Sequence, residues 1–582
     1  MAHPGRLWWQ TGVFYIVYAR SFKDSNGDGV GDLPGLVEKL DYLSETLGID
    51  ALWVAAVYPS PMADFGYDVS NYTDVLPLFG ALSDFDVLIA QAHRRGLKVI
   101  VDYVPNHSSD QHPWFLESRS ARTNAKRDWY MWADPKPDGS PPNNWVSVFG
   151  GPAWEWDEAT GQYYMHTFLK EQPDLNWRNP ALKQAMFDVA RFWLERGVDG
   201  FRIDCAHHVM KDPLLRDNPP NPTPADTAYK PLGEYDSQLH LYDREHPDVH
   251  QVWREFRQLL DSYSATQPRA AFGEIHVFDW PTWAAYYGQR LDELHMPFNL
   301  GLIGAKWQVP AFRRLVDGIE AALPPDAWPN YMVNNFDESR SATRYGQAQA
   351  RVAAVLLLTL RGTPTLCYGE EIGMANVPIP PELQQDPFGL RVPGLGRDPY
   401  RTPMQWTPGP NAGFAPPPAR SPRPRNRSAE ARKCGFSDAR SPRPRGRSGT
   451  PQLWLPLAAD YQQVNVERQL AAPASMLNLY RRLLAYRRAT PALQQGVYQP
   501  LDDVPHDCYV YLRQAGAQRV LVALNFSAQE RRLDLPALGG GGYIPQGRIV
   551  ISTHMDREGT TGLVAGLILR GYEGLIVELA EA

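Results

Sequence analysis

The sequence predicts an α/β protein whose main unit is a (β/α)8 TIM barrel. Short apolar runs alternate eight times with segments of helical periodicity, within about the first 370 residues, which favours a closed barrel over a six-stranded doubly wound sheet. The predicted strands are 13–18, 51–54, 98–103, 200–204, 271–275, 295–299, 331–335 and 364–368. The clearest predicted helices between them are 33–47, 85–95, 180–196 and 347–360.

A chain of 582 residues is too long for one hydrophobic core, so several domains are expected. The barrel is predicted to begin in 1–104 and to continue in 173–500. A domain rich in Trp, Pro, Gly and Asn is predicted at 105–172, inserted after the third strand. The tail at 501–582 alternates apolar and polar residues, which predicts a C-terminal antiparallel β-sandwich.

An irregular Pro/Arg-rich insertion interrupts the barrel at about 415–450, a composition that cannot form a packed core. Residues 419–428 read ARSPRPRNRS and residues 439–448 read ARSPRPRGRS, a near repeat. Its basic charge allows a nucleic-acid-binding segment, but a solvated insertion from a local duplication is the favoured interpretation.

The composition limits the partners. The net charge of −7 and the isoelectric point near 6.1 predict neither nucleic acid nor an anionic membrane as the main partner. No signal peptide is expected at the start of the chain, and four scattered cysteines suit reduced thiols in a cytoplasmic protein. A small-molecule substrate and a monomer or small homo-oligomer are expected.

Acidic residues stand at the ends of three predicted strands: Asp204, Glu274 and Asp337. Carboxyl ends of barrel strands face one pocket, where active sites lie. Cleavage of an acetal needs a carboxylate against the sugar carbon and an acid at the leaving oxygen. The sequence therefore predicts a glycoside-processing site.

The motifs around these acids resemble those of the α-amylase family, glycoside hydrolase family thirteen. DYVPNH, GFRID, GEIH and NNFDESR match its four strand-end motifs in order, and QPDLN at 172–176 resembles the signature of its oligo-1,6-glucosidase subgroup. The likeness spans most of 8–410 and resumes near 459.

The resemblance implies a retaining mechanism. Asp204 would be the nucleophile, oriented by Arg202. Glu274 would be the acid/base with a raised pKa, while Asp337 and His107 would bind the sugar. The carboxyls of Asp204 and Glu274 should then lie about 5–5.5 Å apart.

The resemblance also implies a pocket with a closed end. Asp68 and Arg401 match a pair that grips the 4-hydroxyl of the terminal glucose, and Tyr67, Phe149 and Phe168 are candidate walls. The expected activity is an exo-acting α-glucosidase that releases glucose from maltose and short α-glucosides. Cys205, following the nucleophile, favours α-1,4 linkages.

A loop with alternating oxygen ligands suggests structural Ca²⁺. Its residues are Asp24, Asn26, Asp28 and Asp32, and the resemblance adds the carbonyl of Val30. An EF-hand is excluded because Gly35 stands where its glutamate belongs, and a metal-free turn is the alternative.

Phe336 departs from the family pattern, because a sugar-binding His is usual there. Two alternatives to a glucosidase stay open. One is a glucosyl transferase or isomerase, similar to trehalose synthase or oligo-1,6-glucosidase. The other is a non-catalytic homologue that acts as an interaction subunit.

Overall fold

The computed structural model describes residues 7–224, 230–265, 267–417, 452–535 and 546–580. The Pro/Arg repeat at 419–448 lies outside the described residues. Among the helices of the described part, none has the length and apolar character needed to cross a membrane. Cys205, Cys367 and Cys508 are free thiols.

The strands, in chain order, are β1 Phe14–Tyr18, β2 Ala51–Ala55, β3 Lys98–Tyr103, β4 Trp132–Ala133, β5 Trp154–Asp157, β6 Gln162–Met165, β7 Gly200–Ile203, β8 Ala270–Gly273, β9 Asn330–Tyr331, β10 Thr363–Cys367, β11 Val497–Pro500, β12 Cys508–Ala515, β13 Gln518–Asn525, β14 Arg531–Leu533, β15 Gln546–Ser552, β16 Thr561–Leu563, β17 Leu567–Leu569 and β18 Gly574–Leu579.

The α-helices are α1 Trp8–Thr11, α2 Ala19–Phe22, α3 Leu33–Glu38, α4 Leu82–Arg94, α5 Pro113–Ser120, α6 Pro180–Glu195, α7 Val249–Tyr263, α8 Trp280–Ala285, α9 Gly301–Gly304, α10 Val309–Ala322, α11 Ser341–Arg344, α12 Gln347–Thr359, α13 Pro387–Arg391, α14 Val466–Ala471, α15 Met476–Ala489 and α16 Pro491–Gln495.

Seven parallel strands form the central sheet, in the order β8-β7-β3-β2-β1-β10-β9. The strands β1 and β2 are buried along their whole length, as expected where helices cover a parallel sheet. This curled sheet confirms the predicted barrel.

The predicted sixth strand, 295–299, closes the ring without forming a regular ladder. Phe298 N donates to Gly273 O at 2.6 Å beside β8, and Asn299 Nδ2 donates to Asn330 O at 2.6 Å beside β9. An amide side chain thus replaces the backbone bonds of a regular strand pair, while the segment still lies between β8 and β9.

The four predicted helices are present, but the first is divided. Asp32 caps α3, with its Oδ1 accepting from Gly35 N at 2.7 Å. The helix ends at Glu38, and a separate π-helical turn spans Tyr42–Leu47.

The segment inserted after β3 contains a three-stranded antiparallel sheet of order β4-β6-β5. Its side chains Phe149 and Phe168 lie over the carboxyl ends of the barrel strands, where they line a cavity. The insertion therefore contributes one wall of the candidate site.

The C-terminal unit is an antiparallel sandwich. A six-stranded sheet of order β11-β12-β13-β18-β15-β16 packs on the pair β14-β17, and Leu533 and Leu569 of the pair share one core with Val510 and Val577. The sheet begins with β11, a few residues before the boundary expected at 501.

Candidate active site

A cavity of about 140 Å³ opens at the carboxyl ends of the barrel strands. It is lined by eight of the ten residues predicted to be catalytic or to bind the sugar, together with neighbours that the sequence did not single out. The predicted residues in its wall are Tyr67, His107, Phe149, Phe168, Arg202, Asp204, Glu274 and Asp337, whereas Asp68 and Arg401 lie outside it.

Asp204 and Glu274 follow the neighbouring strands β7 and β8. Backbone bonds from Asp204 N to Tyr103 O at 2.8 Å and from Glu274 N to Ile203 O at 2.9 Å hold both residues at the strand ends. An oxygen of the Asp204 carboxylate lies within 4.8 Å of an oxygen of Glu274. The two acids therefore face the same small space.

Arg202 joins the two acids. Its Nη1 lies 2.7 Å from Asp204 Oδ1, and its Nη2 lies 2.5 Å from Glu274 Oε2. The guanidinium is almost fully buried and lies over the ring of Trp53. Because one guanidinium contacts both carboxylates, it fixes their positions relative to each other.

Asp204 and Glu274 lie close together and both contact Arg202, so the protonation of one affects the other. Burial raises the pKa of Asp204 to about 7, helped by the charge of Glu274 and opposed by Arg202. Burial alone would raise the pKa of Glu274 as well, but the charges of Arg202 and His276 outweigh it and lower that pKa. The raised pKa expected for Glu274 is therefore wrong for the free protein, because His276 Nε2 lies 3.1 Å from its Oε1.

Asp337 lies across the cavity beyond β9. Its Oδ1 accepts from Arg401 Nη2 and lies 3.4 Å from Arg397 Nη1. The preceding residue, Phe336, is buried and stacks on Tyr18 at 5.2 Å between ring centroids. Phe336 therefore belongs to the aromatic floor and contributes no hydrogen bond from its side chain.

Asp68 and Arg401, expected to grip the sugar 4-hydroxyl together, do not line the cavity. Asp68 is fully buried, and its carboxylate accepts from Ser60 Oγ at 2.6 Å and from the amides of Ala63 and Asp64 at 2.9 Å. Asp68 therefore stabilises the loop at 60–64 by these three hydrogen bonds. Arg401 donates to Asp337 and to the carbonyl of Phe336 instead.

Asp64 and Arg397 line the cavity in place of that pair. Arg397 Nη2 lies 2.6 Å from Asp64 Oδ1 and 2.7 Å from Asp386 Oδ1. Sequence reasoning missed both residues. Asp64 stands four residues before Asp68, and Arg397 stands four residues before Arg401. Only the folded loop decides which acid of the stretch faces inward.

His107 is held between the inserted segment and the barrel. Its Nε2 lies 3.0 Å from Gln172 Nε2 and 3.2 Å from Tyr67 O. Burial lowers the pKa of His107 to about 4, so the ring is neutral near pH 7. Gln172 also donates to Asp64 Oδ2 at 3.2 Å, which ties the QPDLN segment to the cavity.

The aromatic walls and the residue after the nucleophile are also in place. Phe149 and Phe168 contact each other with ring centroids 5.7 Å apart, and Phe388 packs on Phe149 at 4.5 Å. Cys205 has a left-handed backbone, and its Sγ lies 3.7 Å from Glu274 Oε2. The thiol therefore faces the acid rather than the core.

The predicted calcium loop lies away from the cavity, between β1 and α3. Asp24 Oδ1 accepts from the amides of Asn26 at 3.0 Å and Gly27 at 2.6 Å, and Asp28 Oδ1 accepts from Val30 N at 2.9 Å. Asp32 Oδ2 accepts from Ser25 N at 3.0 Å. The loop is thus folded around its own oxygen-bearing side chains.

Comparison with known proteins identifies the family. The family model described as the α-amylase catalytic domain matches residues 16–422. The chain belongs to the α-amylase family. It is 40% identical over 565 residues to a probable α-glucosidase of Rhizobium meliloti, covering 94% of this chain and 95% of that protein. It is 34% identical to an oligo-1,6-glucosidase of Parageobacillus thermoglucosidasius, covering 91% and 92%.

Solved structures agree. An α-glucosyl transfer enzyme superposes with a TM-score of 0.86 at 38% identity, over 99% of this chain and 100% of that one. The trehalulose synthase of Pseudomonas mesoacidophila gives a TM-score of 0.82 at 33% identity, over 99% and 100%. This member of the α-amylase family is therefore an enzyme, a glycosidase or a glucosyl transferase, and the alternative of a non-catalytic subunit is set aside.

Proposed function

We propose that this enzyme is a retaining, exo-acting α-glucosidase that releases glucose from maltose and short α-glucosides. The observation that carries the proposal is the short separation of Asp204 and Glu274, whose nearest carboxylate oxygens lie within 4.8 Å. Retaining glycosidases have carboxyl groups about 5–5.5 Å apart, whereas inverting enzymes need about 6.5–9.5 Å to admit a water.

In this mechanism Asp204 attacks the anomeric carbon while Arg202 holds its carboxylate in place. Glu274 gives a proton to the departing oxygen, and water then enters with Glu274 as base. The pair holds one proton up to a pKa of about 7, on Asp204 in the free protein. In the proposed mechanism that proton passes from Asp204 to Glu274 once substrate is bound, so that Asp204 is free to attack and Glu274 can protonate the leaving oxygen.

Exo-action follows from the Asp64–Arg397 ion pair, which lies with Asp337 at one end of the cavity. Both side chains of the pair are almost fully buried. A buried charged pair offers strong donors and acceptors to the hydroxyls of a terminal sugar, and we infer that it closes this end of the cavity to a second sugar. The enzyme therefore trims non-reducing ends.

A glucosyl transferase or isomerase is the second candidate. Its support is the likeness to an α-glucosyl transfer enzyme and to a trehalulose synthase. The same glucosyl intermediate serves both reactions, and a sugar hydroxyl replaces water in transfer. The preference for α-1,4 linkages inferred from Cys205 and the cytoplasmic location stay predictions.

We further propose structural Ca²⁺ in the loop of Asp24, Asn26, Asp28 and Asp32, with the carbonyl of Val30. An oxygen-only donor set with three carboxylates fits this cation. Burial, with the charges of Asp28 and Asp32, raises the pKa of Asp24, a repulsion that a bound cation would relieve. The ion would brace the first βα loop and take no part in the chemistry.

Proton NMR at early times of reaction tests the proposed function. With maltose, the α-anomer of glucose should appear first, because two displacements retain the configuration. Initial release of β-glucose contradicts the retaining mechanism. Conversion of maltose, sucrose or isomaltose to an isomer without free glucose favours the second candidate.

A further inference from the structure

Three arginines line the cavity in the described residues: Arg202, Arg244 and Arg397. Arg202 is committed to Asp204 and Glu274, and Arg397 to Asp64 and Asp386. Arg244 differs, because its ion pair joins only Nε to Glu245 Oε1, 3.0 Å apart and without hydrogen-bond geometry. Its two terminal nitrogens have no acceptor among the described residues.

The backbone next to Arg244 is fixed by a hydrogen bond. The amide of the next residue, Glu245, donates to His207 O at 2.8 Å. This bond ties the chain at Arg244 to the segment that directly follows the nucleophile. The neighbouring carboxylate of Glu245 balances the charge of the guanidinium, so the terminal nitrogens act as neutralised donors.

Arg244 lies on the side of Glu274 rather than at the closed end. The charges of Arg244, His276 and Glu274 all act on the buried ring of His207. Glu274 must face the leaving oxygen, so this side receives the leaving group. Tyr235, which lines the cavity and lies close enough to Arg244 to act on its charge, offers an aromatic face for a sugar on this side.

We propose that Arg244 binds the hydroxyls of the leaving-group sugar, and of an acceptor sugar in transfer, through its two terminal nitrogens. This rests on the proposed function. The ligand class is a neutral sugar, because Glu245 already compensates the charge of Arg244. The residue thereby selects sugar over apolar leaving groups.

The test compares maltose with p-nitrophenyl α-glucoside, whose leaving group lacks sugar hydroxyls. Arg244→Met should lower kcat/KM for maltose by about 10- to 100-fold, the loss typical of a charged hydrogen bond, and leave the nitrophenyl substrate nearly unchanged. Arg244→Lys should recover part of the maltose activity. Arg216→Met is the matched control, since Arg216 pairs with Asp212 outside the cavity.

Equilibrium binding separates this proposal from the proposed function. In the Glu274→Gln background, Arg244→Met should weaken binding of maltose and leave binding of glucose unchanged. Equal losses with both kinetic substrates, or unchanged maltose binding, overturn the role of Arg244. Absence of glucose release by the unmodified enzyme refutes the proposed function, while the binding comparison still decides the role of Arg244.

Discussion

Replacing Asp64 by Asn tests the closed end of the pocket. The change keeps the size of the side chain and removes the charge that lies 2.6 Å from Arg397 Nη2. Arg397 keeps Asp386 at 2.7 Å, so the fold should lose less than the ~3–5 kcal/mol typical of breaking a buried pair. The bound glucose, in contrast, loses a charged acceptor for its hydroxyls.

The loss of one charged hydrogen bond is about 1.5–3 kcal/mol, or about 10- to 150-fold in kcat/KM. Steady-state kinetics with maltose measure it, and thermal unfolding shows whether the protein stays folded. Asp68→Asn is the matched control, because Asp68 serves three donors behind the loop. That variant should mainly lower the stability, by about 1–3 kcal/mol. Unchanged kcat/KM in a folded Asp64→Asn protein would refute the assigned contact.

Four further predictions concern the acids and the loop. Glu274→Gln should abolish maltose cleavage while keeping measurable activity on substrates with acidic leaving groups, as kinetics on both will show. The pKa of about 7 at Asp204 predicts that kcat/KM falls as pH rises through 7, because the pair then loses its shared proton. The same raised pKa stabilises the fold at low pH, and this contribution disappears as pH rises from about 4 to 7, so Asp204→Asn should flatten a pH series of unfolding free energies. Chelation should lower the Tm and added Ca²⁺ should restore it, and Asp24→Asn should remove that response if Asp24 is a ligand.

Much of this architecture follows from sequence pattern. Asp204 and Glu274 end neighbouring parallel strands, and strand ends at one edge of a barrel bring their side chains together whatever the loops do. The alternation of apolar runs and helices likewise predicts a parallel barrel, although it does not fix the number of strands, and seven of them pair in the central sheet.

The parts that sequence did not predict depend on loop geometry. Asp64 and Asp68 stand in one short stretch, with Phe65 and Gly66 in the left-handed region between them, so the turn decides which carboxylate faces the cavity. The pKa of Glu274 depends on the side chains of Arg202 and His276, which lie 2.5 and 3.1 Å from its carboxylate oxygens. The spacing of these residues in the sequence does not predict such distances.

The segment at 295–299 is held in the barrel wall by fewer backbone hydrogen bonds than the paired strands. On one side it is joined to the ring by a side-chain amide of Asn299 rather than by a ladder of backbone bonds. Local opening of a fold begins where few cooperative bonds must break. Among the barrel strands, amide hydrogen exchange should therefore be fastest at 295–299. The barrel should open there first, while β1, β2 and β3 stay paired.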